Sequence, residues 1–147
     1  MKRSAIAALV LAATVTILSA CAGAPPTAEE TPSIAMPSSV ADRTYRGMPE
    51  SNEPFSETPR IIWIERNKTF ALTLFGSSSC PSIPTSITTD ADNAITIHFE
   101  QSSNDPCTAD MAATTYEFTV PSGSGATPLT VTLDYAPEGG TYPMILE

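Results

Sequence analysis

The stretch Ala94-Ile95-Thr96-Ile97-His98-Phe99-Glu100 decides the fold class. A β-strand sends successive side chains to opposite faces. Ile95, Ile97 and Phe99 therefore share a buried face, while Thr96, His98 and Glu100 point outward. Working outward, the same period recurs on both sides. Downstream, residues 115–120 place Tyr116, Phe118 and Val120 inward, and Leu129, Val131, Leu133 and Tyr135 define the next inward face. Upstream, Ile61-Ile62-Trp63-Ile64 and the run holding Phe70, Leu72 and Leu74 read as a hairpin across Glu65-Arg66-Asn67-Lys68. Shorter strands fit residues 85–89 and 142–146. Asp90-Ala91-Asp92-Asn93, the Gly/Ser stretch at 121–127 and Glu138-Gly139-Gly140 supply the turns. Residues 110–113 could form a brief helical turn, and no longer stretch has a helical period. About seven short strands with frequent turns predict an all-β domain over residues 60–147, a small antiparallel β-sandwich or barrel.

Residues 22–59 have a different texture. Half of the 14 prolines fall there, at 25, 26, 32, 37, 49, 54 and 59, among Ala, Ser, Thr and Glu. Proline removes backbone donors and fixes φ, and so little apolar surface does not offset the entropy of ordering the segment. The expectation is a disordered, somewhat stiff linker. As a flexible coil it spans roughly 35 Å, and fully extended roughly 120 Å. Tyr45, Met48 and Phe55 are the side chains in it that could dock onto the domain or a partner.

Ahead of this linker, Lys2 and Arg3 precede an apolar and small-residue run from Ala5 to Leu18. The run is shorter than the roughly 20 residues that span a bilayer, and its layout is that of a signal peptide. It ends in Leu18-Ser19-Ala20-Cys21, which resembles the lipobox of bacterial lipoproteins. The resemblance implies cleavage before Cys21, a diacylglycerol thioether on its sulfur and attachment to the extracellular face of the cell membrane. On this reading residues 1–20 are removed, and residues 21–59 are the lipidated cysteine and its linker.

The formal charge is −9, and it becomes more acidic once Lys2 and Arg3 are lost. Such a surface repels nucleic acid, and no basic stripe with interleaved aromatics speaks for one. With Cys21 assigned to lipid, Cys80 and Cys107 remain as a pair that an oxidising compartment joins. Neither lies in a Cys-x-x-Cys motif, so no metal or cofactor is expected. A loop of that length stabilises the fold by roughly 3.5 kcal/mol in the chain-entropy model.

Gly76-Ser77-Ser78-Ser79-Cys80-Pro81 with Cys107-Thr108-Ala109-Asp110 resembles a group of small cell-envelope lipoproteins and exported proteins of actinobacteria. There, too, a strand leads into the first motif and the second cysteine precedes an apolar strand, although Trp often stands where this chain has Phe75. The resemblance covers residues 60–147. It implies an exported domain with one disulfide and transfers no functional residue.

Candidate sites are few. Ser77, Ser78 and Ser79 with His98, the single histidine, suggest a small serine hydrolase, but the second glycine of a nucleophile elbow is missing. Asp90-x-Asp92-Asn93 lacks the glycine and distal glutamate of a calcium loop. Trp63, Tyr116, Tyr135 and Tyr142 would make a carbohydrate platform only if several were exposed together. A disulfide that pins two loops orders the place where binding residues concentrate. Ser77, Ser78, Ser79, Asn104 and Asp105 are accordingly the expected contacts to a partner, an envelope protein or glycan. The expected function is a non-catalytic binding or structural module of the envelope, with a solute- or carbohydrate-binding lipoprotein as the alternative. Metabolic labelling with a fatty acid should tag the native chain and not Cys21→Ala. Equal labelling of the two would contradict lipidation.

Overall fold

Ile95, Ile97 and Phe99 do line the interior, facing Phe70, Leu72, Tyr116 and Phe118 from a second layer. The computed structural model describes residues 38–49, 58–135, 137 and 139–147. These residues form a β-sandwich with eight strands: β1 (Arg43–Arg46), β2 (Arg60–Glu65), β3 (Thr69–Gly76), β4 (Ser82–Ala91), β5 (Ala94–Gln101), β6 (Ala112–Thr119), β7 (Leu129–Asp134) and β8 (Thr141–Leu146). One sheet has the order β1-β6-β3-β2 and the other β4-β5-β7-β8. Each inward face is the one the alternation predicts, and Leu129, Val131 and Leu133 are fully buried between the sheets. Phe70 stacks on Phe118 with ring centroids 5.2 Å apart, and Trp63 meets Phe70 edge-on at 6.4 Å.

All strand pairs are antiparallel except β5 and β7, which run parallel from Ala94↔Thr130 to His98↔Asp134. The cause is the path of the chain. After β5 it crosses to the other sheet as β6, runs back, and re-enters beside β5 in the same direction. Pro84 and Pro143 sit in β4 and β8, the two edge strands of their sheet. There a missing donor leaves the central ladder intact. Residues 110–113 form no helical turn, because β6 begins at Ala112 and pairs it with Gly76.

The largest departure from expectation is β1. It lies inside the stretch read as linker, so the domain reaches back before Arg60. β1 pairs with β6 from Arg43↔Glu117 to Arg46↔Thr114. The chain on either side of it is also bound: Val40 N–H donates to Pro84 O at 2.9 Å, and the Thr115 hydroxyl to Gly47 O at 2.6 Å. Gly47 has φ of 96°, a left-handed conformation that glycine adopts without a Cβ penalty. It lets Met48 and Pro49 turn against Arg60, Ile62 and Thr73. Thr73 and Thr115, which alternation places outward, are consequently buried and bond each other at 2.8 Å. Tyr45 and Met48 thus dock on the domain. Phe55, residues 1–20 with their expected signal sequence, Cys21 and residues 22–37 lie outside the described residues.

Burial of the threonine pair makes residues 38–49 part of the folding unit. A mature chain lacking residues 22–49 should melt roughly 5 °C or more below one lacking only residues 22–37, since ~1 kcal/mol moves the midpoint of such a domain by about 4–8 °C. Coincident melting curves would show that β1 adds nothing.

Candidate functional site

The two connections that carry the chain between the sheets at one end, residues 77–81 after β3 and 102–111 after β5, are joined there. Cys80 and Cys107 form a disulfide with an S–S distance of 2.06 Å and Cα atoms 5.4 Å apart. Around it the expected contact residues are brought together, but their hydrogen bonds go mostly to Thr108 and other groups of the two loops. The Ser77 hydroxyl accepts from Cys80 N–H at 3.2 Å and lies 3.0 Å from the Thr108 hydroxyl. The Ser79 hydroxyl donates to Pro106 O at 3.3 Å and accepts from Thr108 N–H at 2.9 Å. The Ser78 hydroxyl is 3.1 Å from that of Thr108. Asn104 Nδ2 donates to Ser79 O at 2.5 Å, and Asp105 is exposed ahead of a cis bond to Pro106. Asp110, which alternation did not single out, closes the network. Hydrogen bonds from Ser78 N–H and the Thr108 hydroxyl hold its carboxyl well below the usual carboxylate range. These hydroxyls build a rigid loop pair.

What the loop pair frames is a cleft of about 470 Å³, running from the disulfide to the β7–β8 turn. The volume falls within the roughly 300–1,000 Å³ of small-molecule sites. Phe75 and Tyr116 reach it from one sheet, Gln101, Tyr135 and Tyr142 from the other. No charged side chain is among the described residues that line it. The aromatic rings are mutually braced. Phe99 stacks on Tyr135 at 4.9 Å and meets Tyr116 edge-on at 6.4 Å, and Tyr142 stands edge-on to Tyr135 at 6.0 Å. Tyr116 is buried and donates its hydroxyl to Ser82 O at 2.6 Å, tying β6 to the start of β4. Tyr142 is 56% exposed and presents its ring to solvent. Gly139 is required in the adjoining turn, because a Cβ there would lie 2.4 Å from the Cβ of Tyr135. The aromatic residues of the sequence thus divide: Tyr116, Tyr135 and Tyr142 converge on the cleft. Trp63 instead donates to Glu147 O at 3.0 Å, away from it.

His98 is on the outer face of its sheet. Its Nδ1 lies 2.8 Å from Asp134 Oδ2 and its Nε2 3.5 Å from the Thr88 hydroxyl. This is an acid–imidazole–hydroxyl order, but the last link is long and Thr88 also faces Asp90 at 3.4 Å. No hydrogen bond joins His98 to Ser77, Ser78 or Ser79. Asp90 accepts from Thr96 at 2.7 Å as well, so its carboxylate is occupied by strand threonines. No family model matches the chain, and no curated protein or solved structure is found to be similar to it.

Burial pushes the phenols of Tyr116 and Tyr135 up to about 12, the latter with help from the neighbouring tyrosines. A phenol whose pKa is raised on folding contributes stability that is complete below its unfolded value near 10 and lost as pH rises through the folded value. Stability should accordingly fall between about pH 10 and 12. Tyr116→Phe and Tyr135→Phe should each flatten that fall. Denaturant midpoints across this range test it, and an unchanged slope in both variants would contradict the assignment.

Proposed function

We propose that this protein is a lipid-anchored, non-catalytic binding module of the bacterial envelope, and that its ligand site is the cleft at the disulfide end. The carrying observation is the cleft itself: an open recess with no charged side chain among its described lining residues, an aromatic wall held from both sheets and a rim fixed by a covalent bond. Binding sites are favoured where loops on a rigid scaffold surround a concavity with a few polar groups. Gln101, Ser82, Tyr135 and Tyr142 supply such groups here. Attachment through a diacylglycerol on Cys21, with residues 22–37 as the tether, is part of the proposal and rests on the Leu-Ser-Ala-Cys junction. The acidic charge favours an envelope component over nucleic acid as partner.

The site and the anchor are tested separately by removing the anchor. Protein beginning at Ala22, which carries neither the apolar run nor the acylated cysteine, should co-sediment with isolated cell-wall material. The further change of Gln101→Ala with Tyr142→Ala should reduce co-sedimentation about tenfold or more, as expected when a central contact worth ~1.4 kcal/mol is lost. Undiminished co-sedimentation would place the binding surface elsewhere.

A further inference from the structure

Resting on the reading of the cleft as the ligand site, we infer that its ligand is an uncharged saccharide, stacked on Tyr142 and hydrogen-bonded along Gln101 and the tyrosine hydroxyls. Three features of the cleft select this chemistry. The first is the absence of charge among its described lining residues. A charged ligand entering it would lose hydration with no counter-charge among these described residues to compensate. The chain as a whole is strongly acidic, which adds repulsion against uronic acids, phosphates and other anions.

The second is Tyr142, on an edge strand and more than half exposed, its ring inclined at 68° to that of Tyr135. An aromatic face carries negative quadrupole density. The C–H-bearing face of a pyranose is weakly positive and flat, so it matches that ring in shape and sign. The third is the polar complement. A phenol donates and accepts, and an amide offers two donors and an acceptor. Neighbouring sugar hydroxyls, each donor and acceptor at once, are satisfied by such mixed partners. An aliphatic chain would leave them unpaired. A quaternary ammonium is the main competitor for an aromatic site in an acidic protein, but it makes no use of Gln101 or of the hydroxyls.

The experiment is titration of the full chain, in a non-ionic polyoxyethylene detergent, with tyrosine ring resonances as the readout. The probes are oligosaccharides of glucose, galactose, mannose or arabinose, the corresponding oligouronates, and choline. At least one neutral oligosaccharide should shift Tyr135 and Tyr142 while leaving Tyr45 in place. Tyr142→Ala should weaken that binding about tenfold, the upper scale of one aromatic contact, and Tyr142→Trp should retain it. Tyr142 is exposed on an edge strand, so its replacement leaves the core packing in place. Binding of choline or oligouronate in preference to every neutral sugar would overturn the inference. So would neutral-sugar binding indifferent to Tyr142→Ala, or none at all. If no sugar binds while Tyr142→Ala still abolishes wall co-sedimentation, the ligand class falls and the site stands. If co-sedimentation is also indifferent, both fall.

Discussion

The Cys80–Cys107 bond is the constraint on which the working end of this domain depends. A sandwich of this size holds its sheets together by burial alone in the middle, where Phe70, Phe118, Ile97 and Leu133 meet. At the end, the chain passes between sheets twice through polar loops that have no core of their own. Two such loops would sample many conformations. Joining them removes much of that freedom and stabilises the fold by about 2–5 kcal/mol, the usual range for a disulfide in a small domain. The serine and threonine hydroxyls then have fixed partners, Asp110 is locked by Ser78 and Thr108, and one rim of the cleft becomes rigid. The opposite rim is set by packing, through Gly139 pressed against Tyr135 and Tyr135 stacked on Phe99.

The strands were legible wherever one face is buried. Ile95, Ile97 and Phe99, or Leu129, Val131 and Leu133, alternate because each strand has a dry and a wet side, and that pattern is local. β1 was not legible for the opposite reason. Arg43-Thr44-Tyr45-Arg46 has one aromatic residue and prolines on both sides, and its place in the sheet comes from the free backbone edge of β6. The same non-local contact explains why Thr73 and Thr115, polar and outward by period, are buried. The parallel pairing of β5 with β7 follows from the route of the chain between sheets, which no local pattern encodes.

The candidate site divides in the same way. Cysteine counting sufficed to pair Cys80 with Cys107, and loop chemistry sufficed to gather Ser77, Ser78, Ser79 and Asn104 around them. That these groups are mainly bonded within the loop pair depends on Thr108 and Asp110, whose spacing from the serines carries no signal until the disulfide closes. The convergence of Tyr116, Tyr135 and Tyr142 was beyond reach, because it requires the register of three strands from two sheets. Gln101 lies one residue beyond the alternating run 94–100 and ends β5 opposite Ser82. Aromatic walls from both sheets, with no charge among the described lining residues of an acidic chain, are the feature that turns this end from a stabilised loop pair into a proposed binding site.

Amide hydrogen exchange of the full chain, with and without isolated cell-wall material, tests the proposed site most directly, because it reports on every strand end at once. We expect added protection at residues 75–80, at Gln101 and from Tyr135 to Tyr142, with none on the outer face around Thr88 and His98. Protection confined to that outer face, or absent from the disulfide end, would contradict the assignment of the cleft as the binding site.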